Sequence, residues 1–198
     1  MTSSAGLIRA RLVLIGASGA GKTRLGKRVA KRLQVMFIDT DKRIVVAHGP
    51  ISQIFEEYGE EHFRMLERAA VAEALREDAV VSLGGGAVLD ANTQADLAGQ
   101  RVALLTVSAE AVARRIGGGK RPLLKDGINA WVALVESRRK LYERLASRSW
   151  DTSKLPLDDI ADDIADWIRN GTAPVDASAE DVVEIRTARV DSAQKEQQ

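Results

Sequence analysis

The 198-residue sequence predicts an α/β protein, a parallel sheet held between two layers of helices. Three observations carry that expectation. Short apolar runs with β-branched residues alternate with stretches of helical period, the pattern of βαβ units. The first run leads into Gly16-Ala17-Ser18-Gly19-Ala20-Gly21-Lys22-Thr23, which is G-x-x-x-x-G-K-T without a mismatch, and a helical stretch follows. Length fits one domain with tails, and 45% apolar residues are ample for its core.

The first strand is predicted at residues 11–15. In the loop after it, glycines let successive N–H groups converge, and the helix N-terminus adds partial positive charge. Lys22 reaches phosphate oxygens as a point charge, and the Thr23 hydroxyl is a Mg²⁺ ligand. The first helix covers 24–33, with Leu25, Val29 and Leu33 in one apolar stripe. Lys27, Arg28, Lys31 and Arg32 fall mostly on its other face and read as solvated.

A second strand at 35–38 ends in Asp39-Thr40-Asp41. Ligands of open α/β sheets bind beyond the carboxyl ends of the strands. If the chain stays extended, Asp39 and Asp41 face the same side. The competing reading is a helix cap, because 41–47 has a helical pattern. Gly49-Pro50 then breaks the chain. Helices follow at 51–58 and 60–77, separated by Gly59, and Arg64 and Glu67 form an i, i+3 pair.

The third strand, 79–83, runs into Gly84-Gly85-Gly86, bare backbone where a ligand can come close. Ser82 is the polar side chain nearest the strand end where many phosphate-loop enzymes carry an acid. A helix at 90–97, a strand at 102–107 and a helix at 109–116 with Arg114 and Arg115 come next. Gly117-Gly118-Gly119-Lys120-Arg121 reads as a flap carrying cations. A long helix at 129–147 bears Arg138 and Tyr142. A weak strand at 150–152, a helix at 155–168 and a polar tail at 171–198 complete the chain.

Composition narrows the function. With 29 basic and 28 acidic residues the net charge is +1, which gives no argument for nucleic acid or an anionic membrane. There is no cysteine, so disulfides and thiolate metal sites are excluded. No run approaches the ~18 apolar residues of a membrane span. A cytoplasmic protein is expected. His48 and His62 are isolated and read as structural.

Taken together, Gly16 to Thr23, Asp39-Thr40-Asp41, Phe63-Arg64, Ser82-Leu83-Gly84-Gly85-Gly86-Ala87, Arg121-Pro122-Leu123-Leu124 and Arg138 ahead of Leu141-Tyr142 resemble the shikimate kinases, over about residues 10–170. The resemblance implies a three-layer sandwich with a five-stranded parallel sheet in the order 2-3-1-4-5. It implies transfer of the ATP γ-phosphoryl group to the 3-hydroxyl of shikimate, on the route to chorismate, by a monomer that uses Mg²⁺. Lys22, Asp41 and Arg121 would be catalytic. Asp41, Arg64, Glu67, Gly84, Gly85, Gly86 and Arg138 would bind shikimate. Gly16, Ala17, Ser18, Gly19, Ala20, Gly21, Lys22, Thr23, Arg115 and Arg121 would bind ATP, with Arg115 packed on the adenine. Thr23, Asp39 and Ser82 would support the metal. Residues 41–70 would be a substrate-binding segment and 117–127 a lid, flanked by a flexible 1–9 and a tail at 171–198. A gluconate kinase-like enzyme of the same branch is the runner-up, and a binding domain without turnover is the reading from another class. The absence of an N-K-x-D motif speaks against a GTPase.

Overall fold

The structure is a computed structural model, and it describes residues 9–116, 127–154 and 156–171. Five strands form one sheet: β1 (Leu12–Ile15), β2 (Met36–Asp39), β3 (Ala79–Ser82), β4 (Val102–Thr106) and β5 (Arg148–Asp151). Their order is β2-β3-β1-β4-β5 and every pairing is parallel, as expected. The helices are α1 (Lys22–Leu33), α2 (Thr40–His48), α3 (Ile51–Ala74), α4 (Ala91–Leu97), α5 (Ala109–Ile116), α6 (Gly127–Leu145) and α7 (Leu157–Asn170).

Alternation along the central strands divides the core in two. Leu12, Leu14 and Val80 face one side and pack with Leu25 and Val29 of α1 and with Ile160, Ile164 and Ile168 of α7. Val13, Ile15 and Val81 face the other side and meet Val71 and Ala74 of α3, Leu97 of α4 and Tyr142 of α6. A third cluster, Ile44, Ile54, Phe63 and Ala70, ties α2 to α3 above the sheet.

The basic face of α1 is not simply solvated. Arg28 pairs with Asp158, and Arg32 with Asp158 and Asp162 of α7. Such exposed pairs contribute at most ~1 kcal/mol each. Each buried isoleucine of α7 contributes ~1.5–3 kcal/mol, so the apolar stripe decides how α7 docks.

Several boundaries differ from the sequence expectation. The first helix starts at Lys22, directly from the left-handed Gly21. The two helices flanking Gly59 form one run, but Gly59 itself is non-helical at φ 81° and ψ 176°. The last strand starts earlier, at Arg148, and three of its four residues are exposed, so it lacks an apolar signature. The last helix begins at Leu157, because Pro156 occupies its N-cap. Among the described residues no helix is long and apolar enough to cross a membrane.

Candidate active site

The phosphate loop links β1 to α1. Gly19 and Gly21 both sit at φ 89°, in the left-handed region that glycine enters without strain. Lys22 Nζ donates to the carbonyls of Gly16 at 2.6 Å and Ala17 at 3.1 Å, so its ammonium is held over the loop. Thr23 Oγ1 donates to Asp39 Oδ2 at 2.7 Å. The other Asp39 oxygen accepts from the Lys42 amide at 3.3 Å and caps α2. The two readings of Asp39 therefore hold at once, one per oxygen.

The extended geometry expected for 39–41 is not what forms. Because Asp39 caps a helix that starts at Thr40, Asp41 lies in its first turn. It still reaches the expected place. A Cβ on Gly84 would overlap Asp41 Oδ1 and stand 2.7 Å from Glu67 Oε1. The absence of a side chain at Gly84 is what lets the two carboxylates close on the backbone.

The same glycine loop receives the arginines. Arg64 donates to Glu67 Oε2 at 2.7 Å and to Glu60 at 2.9 Å, and a Cβ on Gly86 would lie 2.5 Å from Arg64 Nη1. Arg138 Nη1 donates to the Gly85 carbonyl at 3.1 Å. Tyr142 donates its hydroxyl to that carbonyl at 2.6 Å. Gly85 in turn lies against the phosphate loop: a Cβ there would be 3.6 Å from the Ser18 nitrogen. Asp41, Glu67, Arg64 and Arg138 thus gather on one loop that abuts the phosphate loop.

Burial raises the pKa of Asp41, and the nearby charge of Asp39 adds to the rise, while Lys22 and Arg64 oppose it. Glu67 is raised as well, chiefly by burial, against the pull of its bond to Arg64. Burial works against the charge of Arg64, but its bonds to Glu67 and Glu60 outweigh this and its pKa stands above the ordinary value. Burial also pushes up the Tyr142 phenol, against the effect of Arg138.

The Thr23 hydroxyl and the Asp39 carboxylate are hard oxygen donors that already touch each other, and Asp39 pairs in register with the buried Ser82. That donor set suits Mg²⁺ shared with substrate phosphates. Among the described residues there is no cluster of three or more His, Cys, Asp or Glu that could hold a metal by itself.

Arg115 donates to the Gly19 carbonyl at 3.2 Å and to Thr152 Oγ1 at 3.2 Å, bridging the phosphate loop and the exit of β5. Arg121 and most of the expected lid, 117–126, lie outside the described residues, as do 1–8 and 172–198.

Three supporting residues were given no site role from sequence. Thr40, fully buried, lies 3.3 Å from both the Ser82 carbonyl and the Gly84 amide and sets the height of the glycine loop. Tyr142 shares the Gly85 carbonyl with Arg138, and its i, i+4 spacing from Arg138 was the available signal. Thr152, also buried, lies 2.9 Å from the Ala20 carbonyl; nothing in its local sequence marks it.

A phosphate loop that abuts a glycine loop bearing paired carboxylates and guanidiniums makes the protein a P-loop kinase of small molecules. Similarity to known proteins narrows the class. The chain belongs to the shikimate kinase family, whose profile matches residues 18–169. It is 46% identical to the shikimate kinase of Thermobifida fusca over 157 residues, covering 77% of this chain and 91% of that one. It is 45% identical to the shikimate kinase of Frankia casuarinae over 158 residues, covering 78% and 70%. Among solved structures it resembles shikimate kinase from Acinetobacter baumannii in complex with shikimate, with TM-score 0.76 and 30% identity over 83% of this chain and 95% of that one. A gluconokinase from Sinorhizobium meliloti shares the fold at 21% identity and TM-score 0.57, covering 83% and 94%.

Proposed function

We propose that the protein transfers the γ-phosphoryl group of ATP to the 3-hydroxyl of shikimate and releases shikimate 3-phosphate. The observation that carries this is the convergence of Arg64, Arg138, Asp41 and Glu67 on Gly84–Gly86, directly beside the phosphate loop. In this reading Arg64 and Arg138 grip the carboxylate of shikimate, since a guanidinium fork matches a planar carboxylate. Glu67 fixes Arg64. The N–H groups of Gly85 and Gly86 face the substrate, while Gly84, whose own N–H donates to Thr40 Oγ1, lines the site as bare backbone. Asp41 accepts the hydrogen bond of the attacking hydroxyl and takes its proton, and its raised pKa brings it nearer the working pH of a general base.

Lys22 exchanges the loop carbonyls for phosphate oxygens. Arg121, in the lid segment, brings a second cation to the transferring group, and Arg115 stands at the adenine end. Phosphoryl transfer asks for this kind of positioning and charge neutralisation rather than covalent catalysis. Mg²⁺, when bound, would offset charge on the phosphates, and Thr23, Asp39 and Ser82 are the residues that would hold it. The same reading makes 41–70 the substrate-binding segment and 117–127 the lid of a monomeric, cytoplasmic enzyme with no nucleic-acid or membrane partner.

The test is ADP release by the purified protein with shikimate as the sole acceptor. Turnover that needs shikimate, stops with EDTA, returns with Mg²⁺ and does not occur with gluconate is expected. A chain that turns over gluconate, or that binds shikimate without releasing ADP, would overturn the reading.

A further inference from the structure

Trp131 lies in the second turn of α6, is only 4% exposed, and donates its indole N–H to the Ser18 carbonyl of the phosphate loop at 2.9 Å. Arg138 and Tyr142, 7 and 11 residues further on, fall on the same face of that helix. They donate to Gly85, and Gly85 abuts Ser18. A closed triangle results, with α6 bonded to both loops and the loops touching each other.

We propose that Trp131 is a positioning residue for phosphoryl transfer, holding the phosphate loop at a fixed separation from the acceptor's glycine loop. This rests on the kinase reading above. A buried indole N–H generally finds some acceptor, but here the acceptor is a carbonyl of the loop that holds the phosphates. The peptide unit is planar and trans, so anchoring the Ser18 carbonyl also fixes the opposite direction of the Gly19 N–H. A loop freed from that anchor keeps its sequence and glycines but loses its alignment with the acceptor. Reacting groups misplaced by about 1 Å lose up to ~100-fold in rate.

Trp131→Phe keeps the buried ring and removes only the donor. Trp150→Phe is the control, because it removes an indole bond to Asp163 at the α7 surface, away from both loops. The expected result for W131F is kcat lowered about tenfold, within the range open to misalignment, with the shikimate KM within twofold of wild type; W150F should leave kcat unchanged. W131F turning over within twofold of wild type, or losing no more than W150F, would overturn the proposal. Should W131F not fold, the wild-type protein labelled with 5-fluorotryptophan decides. Its Trp131 fluorine resonance, the one that W150F and W167F both retain, must shift on adding Mg²⁺·ADP, and an unmoved resonance overturns the proposal. The two readings fail separately: wild type inactive on shikimate ends the kinase assignment, whereas equal wild type and W131F end only the role of Trp131.

Discussion

Asp41 holds its charge in a place that disfavours it. Its pKa in the folded protein lies above the ordinary carboxylate value, through burial first and the charge of Asp39 second. The stability linked to such a group is present below its unfolded pKa and is lost as pH rises through the folded one. Asp41→Asn removes that loss. The variant should melt above wild type at pH 8 without ligands, with the gap closing toward pH 4, as thermal unfolding at several pH values will show. Its kcat should fall at least ~100-fold, the size of a general-base contribution. For the same reason the acid limb of wild-type kcat/KM for shikimate should lie above the usual carboxylate range. Arg64 makes the complementary case. A charge-assisted bond contributes ~1.5–3 kcal/mol, so Arg64→Ala should raise the shikimate KM roughly 10- to 100-fold. The ATP KM should stay within about twofold, because Arg64 bonds Glu60 and Glu67 on its own helix; equal effects on both would contradict the assignment.

Elements place these residues by close approach. Gly84 has an ordinary backbone conformation, so alanine there strains nothing locally, but its Cβ would overlap Asp41 and meet Glu67. Gly84→Ala should therefore weaken shikimate binding at least about tenfold, a free-energy change of ~1.4 kcal/mol, while ATP binding measured by calorimetry stays within twofold. Docking of α7 tests a different balance. Ile164→Ala should cost ~2–5 kcal/mol, whereas Arg32→Ala, which removes two exposed ion pairs, should cost no more than ~1–2 kcal/mol. Denaturant unfolding compares them directly, and an arginine variant as damaging as the isoleucine one would contradict the apolar account. The legibility of elements follows the same logic. The stripes of α1 and α7 and the buried central strands declare themselves by period. The edge strand β5, with three of four residues exposed, carries no such signal, and the path from Asp39 to Asp41 is helical rather than extended because Asp39 caps a helix that starts at Thr40, although both acids still reach the expected place.

At the scale of the molecule, the phosphate loop could be read from a single stretch, since its residue types and their spacing are local. The acceptor pocket could not. Tyr142 meets Gly85 from 57 residues away, and Trp131 meets Ser18 from 113 away. Arg64 with Glu60 and Glu67, and Arg138 with Tyr142, do lie within helical reach of each other. The resemblance to shikimate kinases supplied the missing juxtapositions, and the sheet order explains them. β1 and β3 are neighbours, so the loops at their carboxyl ends are brought side by side, and β2 delivers Asp39–Asp41 next to them. What was not legible, Thr40, Thr152 and Trp131, acts on backbone groups of those loops, and a bond to a distant carbonyl leaves no mark on neighbouring residue types.

A crystal structure of the protein with Mg²⁺·ADP and shikimate tests this placement most directly. The account predicts the shikimate carboxylate within hydrogen-bond distance of the Arg64 and Arg138 guanidiniums, and its 3-hydroxyl against Asp41 on the side of the phosphate loop. A shikimate whose carboxylate sits elsewhere, or whose 3-hydroxyl points away from Asp41, would contradict it.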